Sequence, residues 1–273
     1  MARKRYEIDE ARIKRFQREK RGLGSGKDYK SWLLVSDVPS KGRCHRMDCP
    51  LTKRELQLMT DNEFFSFLNY WWDDNVIDIK EQYPLDRRET FEIAALCGIK
   101  HPTDQHTGTL LVISTDLLVT YRVGDEIITI AIAVKEATDL ENKRILEKLE
   151  IERQYWNRRG VTWRITTNVQ VKDNFSKNLA WMLGFYKGSP QDERTHKIDD
   201  VVLSKIITAK IEMPHAPVKL VCKFIDRELG FKLGTSLAGL RRLLAVKALT
   251  VDLTLKCIQD APVEAFQSRR FNL

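Results

Sequence analysis

The stretch from Ser114 to Lys135, STDLLVTYRVGDEIITIAIAVK, restricts the possible folds more than any other part of the chain. It reads as two strands joined by a turn at Gly124-Asp125-Glu126. Side chains alternate across a strand. Asp116, Leu118 and Thr120 therefore share one side of the first strand. Ala131, Ala133 and Lys135 share one side of the second, opposite Ile130, Ile132 and Val134. The turn brings Asp116 towards Ala133 and Lys135 at the mouth of a sheet. An acid and a lysine so placed need one more acid to form a metal-dependent site for phosphodiester cleavage.

The setting is consistent with that chemistry. A chain of 273 residues, 42% of them hydrophobic, suits one large domain or two modest ones with a packed core. Its net charge of +8 favours a polyanionic partner, nucleic acid first. The five cysteines are scattered, which argues against a disulfide framework and for a reducing cytosol. The N-terminus has no apolar core of a signal peptide, and the apolar runs are far too short to span a membrane. A cytoplasmic protein without a membrane partner is expected.

Residues 1–30 are dense in charge, and Ile8, Ile13 and Phe16 mark a short amphipathic helix ending near Gly22. Two readings stand: a solvated arm, or an arm that follows a DNA backbone and displaces its counterions. GLGSGKD is not an ATP loop, because it is too short between glycines, lacks Ser or Thr after Lys27 and follows no strand. Residues 32–37 and 42–47 read as short strands. Cys44, His45 and Cys49 lie together without a second ligand pair at finger spacing, which argues against zinc. Residues 60–72, TDNEFFSFLNYWW, predict a helix. Thr60 and Glu63 fit a capping box, and Phe64, Phe67, Leu68 and Trp71 form its apolar stripe. Glu63 has a complete explanation as a cap partner; its other reading is a metal ligand on a helix packed against the sheet.

Residues 76–85 read as a strand ending at Pro84, residues 89–97 as a short helix, and residues 98–108 as a polar loop whose His101 and His106 either touch phosphate or are simply solvated. Residues 139–159 predict a second long helix, with Ile145, Leu149, Glu152 and Trp156 on related turns and Gly160 as its stop. Residues 161–167 return as a strand, which implies a parallel crossover. Residues 1–167 thus form an α/β domain with a basic N-terminal arm. Residues 168–273 are mainly helical, and the order helix, turn, helix, hairpin is that of a winged helix. Arg241 and Arg242 fall on its second helix. That helix enters a DNA groove in one reading and belongs to a protein-docking domain in the other.

Along nearly the whole chain the segments GKDYKSWL, TDNEFFSFL, VIDIKEQYPL, GIKHP, STDLLV, AVK and LEKLEIERQYW resemble, in order, the TnsA family. These are endonuclease subunits of heteromeric bacterial cut-and-paste transposons. The resemblance implies a restriction-endonuclease-like N-terminal domain and a winged-helix-like C-terminal domain. It implies Mg²⁺-dependent cleavage of the non-transferred, 5′ strand at transposon ends, with Mn²⁺ a possible substitute. Implied partners are transposon-end DNA, a TnsB-like transposase that cuts the other strand, and a TnsC-like AAA+ regulator met by the C-terminal part. On DNA the protein would be nucleoid-associated. By the family's pattern Glu63 and Asp116 are the catalytic acids and metal ligands, and Lys135 is the catalytic lysine. The Val134 carbonyl is a further candidate ligand, and Lys27, Lys100, His101, Arg241 and Arg242 are candidate DNA contacts.

One position departs from the pattern. Such nucleases carry Asp, Glu or Gln two residues before the lysine, and this chain has Ala133. Alanine offers a metal no oxygen, and Glu136 faces the other way from Lys135. Three readings stand: fewer protein ligands and more water; help from another acid such as Glu147 or Glu150; or an inactivating substitution, natural or engineered. The last leaves a DNA-binding assembly subunit that bridges TnsB and TnsC.

Overall fold

The structure, a computed structural model, describes residues 6–39, 42–186 and 192–269. Residues 1–5 of the basic arm lie outside them. The chain divides into two compact units, Met1–Lys172 and Asp173–Leu273.

In the first unit, α1 (Glu10–Arg18) is capped by Asp9, whose carboxylate accepts from Arg12 N at 2.7 Å. Its Ile13 and Phe16 are buried with Trp32, and the Phe16 and Trp32 rings meet edge-on at 5.3 Å. Burying each of two such side chains contributes about 1.5–3 kcal/mol, which docks this part of the charged arm. Residues 32–37 are not a strand, because Val35–Asp37 closes into a 3-10 turn. Buried Asp37 accepts from Leu34 N at 3.0 Å and from the Arg12 and Arg21 guanidinium groups at 3.2 and 2.5 Å. These local bonds compete with a ladder and win.

Strands β1 (His45–Cys49) and β2 (Arg54–Leu58) form an antiparallel hairpin, and the sequence pattern did not indicate the second of them. Helix α2 (Asp61–Trp72) follows, then β3 (Val76–Pro84), α3 (Arg87–Leu96), β4 (Ser114–Val123), β5 (Glu126–Lys135), α4 (Lys143–Asn157), β6 (Thr162–Thr167) and the short α5 (Asn168–Val171). The sheet order is β3-β4-β5-β6; the first two pairings are antiparallel, and β5–β6 is parallel across α4. Leu118 and Ala131 pack with Ile93 of α3 and with Ile151 and Trp156 of α4. Leu117, Val119 and Ile132 point the other way and are fully buried, and α2 lies against β3, β4 and β5. The inward face of α2 is rotated from the expected stripe. Glu63, Ser66, Phe67 and Leu68 are buried, whereas Phe64 is half-exposed and stacks on His45 at 4.2 Å.

The second unit contains α6 (Asn174–Tyr186), α7 (Glu193–Glu212), α8 (Val218–Glu228), α9 (Thr235–Ala245) and a two-residue ladder of β7 (Leu249–Thr250) with β8 (Gln267–Ser268). Helices α6, α7 and α8 all pack on α9, whose Leu240, Leu243 and Leu244 are buried. A Cβ on Gly239 would stand 3.1 Å from Asp199 and 3.2 Å from Val202, so α7 and α9 pack tightly there. The helix expected to enter a DNA groove is therefore the hub of this unit. Among the described residues no helix is long and apolar enough to cross a membrane.

Candidate nuclease site

The β4–β5 ladder ends at Leu117↔Ile132, while β5 stays paired with β6 as far as Lys135↔Thr167. The two strands part at the next position, and Asp116 fills the gap. Its Oδ2 accepts from Val134 N at 2.7 Å, taking the place of a ladder carbonyl, and from Lys135 Nζ at 2.7 Å. Lys135 also donates to the Val134 carbonyl at 2.9 Å. Burial pulls the Lys135 ammonium down, but Asp116, Glu152 and Glu63 together outweigh it and hold the group above the ordinary lysine value. So placed, the ammonium group is a hydrogen-bond donor and a positive charge between the acids.

Glu63 stands in the first turn of α2 and is only 4% exposed. Half of the expected capping box forms: Glu63 N donates to Thr60 Oγ1 at 3.1 Å, but the Glu63 carboxylate takes the Thr60 hydroxyl at 3.2 Å in place of the Thr60 N–H. Glu63 Oε2 accepts from Met59 N at 2.9 Å and from Gln82 Nε2 at 3.2 Å. Burial first, and then the charge of Asp116, push its carboxyl above the ordinary range against the pull of the Met59 N–H and Lys135. Cap partner and site acid are thus compatible roles for one side chain.

Ala133 is fully buried beside Ile165 of β6. Neither acid suggested as its substitute turns inward: Glu147 binds Arg144 at 2.8 Å, and Glu150 binds Arg153 at 2.7 Å. The acid that does turn inward is Glu152, which is 5% exposed. It accepts from Thr115 Oγ1 at 2.8 Å, and Thr115 in turn accepts from Trp156 Nε1 at 2.7 Å. Burial, then Asp116, raise its carboxyl to about 7, with Lys135 opposing. The signal for Glu152 lay in the sequence as an acid on the same helical stripe as Leu149 and Trp156. Glu136 points away from this cluster and accepts from Asn62 Nδ2 at 2.8 Å.

The candidate DNA contacts divide. Lys27 and Lys100 are exposed. His101 is 4% exposed, and its ring nitrogens lie 3.1 Å from Thr90 Oγ1 and 3.0 Å from the Pro102 carbonyl, so it is a core histidine. Arg242 is 7% exposed and gripped by both Asp199 oxygens at 2.8 and 2.5 Å, and so is not a phosphate ligand. Arg241 donates to the Trp181 carbonyl and lies over its ring at 4.7 Å. Cys44 donates to the Met59 carbonyl and His45 pairs with Asp61 at 2.6 Å; among the described residues no His, Cys, Asp or Glu cluster of three gathers to hold a metal.

Two acids and an ammonium group where the strands of a mixed sheet part are the equipment of a phosphodiester-cleaving enzyme. Comparison with known proteins gives that class a family. The profile described as "TnsA-like endonuclease N terminal" matches residues 73–168, which include Asp116 and Lys135 but not Glu63. The profile "TnsA endonuclease C terminal" matches residues 170–253. The chain is 36% identical over 245 residues to "Transposon Tn7 transposition protein TnsA" of Escherichia coli, covering 90% of this chain and 87% of that protein. This chain belongs to the TnsA family of transposition endonucleases.

Proposed function

We propose that the chain nicks the non-transferred, 5′ strand at transposon ends with Glu63, Asp116 and Lys135 as its working groups. The observation that carries this is Asp116 held between the Val134 N–H and Lys135 Nζ, both at 2.7 Å, beside the buried Glu63. The donors available are hard oxygens: two carboxylates and the Val134 carbonyl. That set suits Mg²⁺, which is commonly held by one or two carboxylates together with substrate phosphate and water. Glu63 and Asp116 would hold the ion, which when bound supplies Lewis-acid polarisation of the phosphate and a more acidic water. Lys135 is placed to donate to the scissile phosphate and offset the charge that builds there. In the first unit the exposed Lys27 and Lys100 are available for DNA phosphates.

The strand specificity, and work beside a TnsB-like transposase and a TnsC-like AAA+ regulator, follow the family. The central, covered position of α9 favours partner docking over groove reading for the C-terminal unit, whose helix pair and short ladder we read as winged-helix-like. A second reading rests on Ala133: a catalytically impaired subunit that binds DNA and bridges the partners.

The test is a nicking assay on a labelled transposon end with a TnsB-like partner and Mg²⁺. Cutting of the 5′ strand by the chain and its loss in Asp116→Ala are the expected results. Cutting that Asp116→Ala leaves unchanged would remove this site from the reaction.

A further inference from the structure

We infer that Gln82 is a positioning residue of this site, holding Glu63 in place from a strained strand conformation. Glu81↔Leu117 and Tyr83↔Thr115 are paired across β3 and β4, so Gln82 stands opposite Asp116. Its φ is +48°, in the left-handed region, within a strand. Glutamine has no special tolerance of that region, unlike glycine or asparagine. Such strain persists only where the surroundings over-determine it, and it concentrates at working sites.

The surroundings here do so from both sides. Glu81 is fully buried and fixed by Arg54 at 2.8 and 2.6 Å and by Gln57 N at 3.1 Å. Tyr83 lies 5.8 Å from the Trp156 ring, centroid to centroid. The Gln82 carbonyl itself accepts from Trp32 N at 3.3 Å. Held between these clamps, the side chain is 4% exposed and uses both ends of its amide. Nε2 donates to Glu63 Oε2 at 3.2 Å, and Oε1 accepts from Ser114 Oγ at 3.0 Å, two residues before Asp116. One amide thus ties the acid on α2 to the strand that carries the other acid.

The donor also decides which Glu63 oxygen is available. Among the described residues Oε2 takes two N–H donors, from Met59 and Gln82, whereas Oε1 takes only the Thr60 hydroxyl. Oε1 is therefore the oxygen left with capacity for a cation. Groups that orient ligands in this way typically govern metal affinity and activity by about 10–100-fold.

The inference rests on the nuclease reading above, and strain separates it from a purely structural role. Gln82→Gly deletes the amide but relieves the backbone, so the folded chain should keep its Tm within about 2 °C or gain stability. Gln82→Asn keeps an amide on a residue tolerant of φ > 0, one methylene too short to span from Glu63 to Ser114. Three measurements are made on the full chain: thermal unfolding without metal, Mn²⁺ binding by calorimetry, and 5′-strand nicking with the partner transposase. Nicking is also measured in an Ala133→Gln background.

Expected are an intact fold in both variants, Mn²⁺ affinity lowered about 10-fold or more, and kcat lowered about 10–100-fold with KM for DNA little changed. Two results overturn the inference: Mn²⁺ affinity within about 3-fold of the parent with the fold intact, or an unfolded Gln82→Gly whose losses follow its unfolded fraction. If neither parent nor Ala133→Gln nicks DNA, the nuclease reading fails, while the Mn²⁺ titration still decides the role of Gln82.

Discussion

Lys135 and Asp116 hold each other across the opening between β4 and β5. Nζ donates to Oδ2 at 2.7 Å and to the Val134 carbonyl at 2.9 Å, so one ammonium group braces a carboxylate and the backbone beside it. Lys135→Met keeps the length of the side chain and removes the charge. Asp116 and Glu63 are left without their shared cation, and the scissile phosphate without a donor. We expect nicking to fall about 10²–10³-fold, as for loss of one preorganised donor. Lys135→Arg should restore little, because a planar fork does not reproduce two bonds from one nitrogen. Single-turnover nicking rates would check this; full activity in Lys135→Arg would show that only charge matters.

Glu152 makes the stability of the metal-free protein depend on pH. Its folded value of about 7 lies above the ordinary 4.5. The folded state therefore binds this proton more tightly than the unfolded state does. The associated stability is complete below about pH 4.5, declines as pH rises to about 7, and is lost above it. Glu152→Gln keeps an oxygen for the Thr115 hydroxyl and cannot ionise. The variant should be more stable than the parent at pH 8 by on the order of 1–3 kcal/mol and equal to it near pH 4.5. Denaturant unfolding at both pH values in chelator decides it; a difference that does not change with pH would sink the idea.

The sequence showed the parts of the site that rest on short-range rules. Alternation along Ser114–Lys135 put Asp116 and Lys135 at one strand end, and the Thr60–Glu63 box put an acid in the first turn of a packed helix. What it hid depended on partners distant in the chain. Arg242 reads as half of a basic DNA-facing pair until Asp199, forty-three residues earlier, is found gripping it. Arg12 and Arg21 read as a solvated or DNA-following arm until buried Asp37 collects them. Gln82 gave no sign, because nothing about a glutamine in VIDIKEQYPL announces a left-handed backbone. Glu152 was visible as an acid on an apolar stripe; its meaning came only when α4 was seen to pack over the sheet.

These placements separate DNA affinity from stability. Breaking the buried Asp199–Arg242 pair, as in Asp199→Leu, takes the opposing carboxylate from a buried guanidinium group and should cost the C-terminal unit about 3–5 kcal/mol. The fraction that remains folded should bind DNA with unchanged affinity and salt dependence. Lys27→Ala and Lys100→Ala should do the reverse: little change in stability, and a slope of log K against log salt shallower by about one for each phosphate no longer neutralised. Binding isotherms at several salt concentrations, read beside thermal unfolding, would show it. A shallower salt slope in folded Asp199→Leu would return Arg242 to the DNA interface.

Ala133 decides how many side chains this site brings to its cation. It is fully buried on β5, two residues before Lys135 and on the same side of the strand. Ala133→Gln adds an amide oxygen at the position where the family's pattern supplies one. Because the site around Ala133 is closed, the larger side chain should cost about 1–3 kcal/mol of stability unless it turns out to the strand end. If the site is short of a ligand, nicking should rise at least about 10-fold and the Mg²⁺ concentration needed for half-maximal rate should fall. If the parent nicks and the folded variant nicks no faster, Glu63 and Asp116 suffice with water, and Ala133 is not an inactivating change. Rates measured across a Mg²⁺ series, alongside a Tm for each protein, distinguish a restored ligand from an overfilled core.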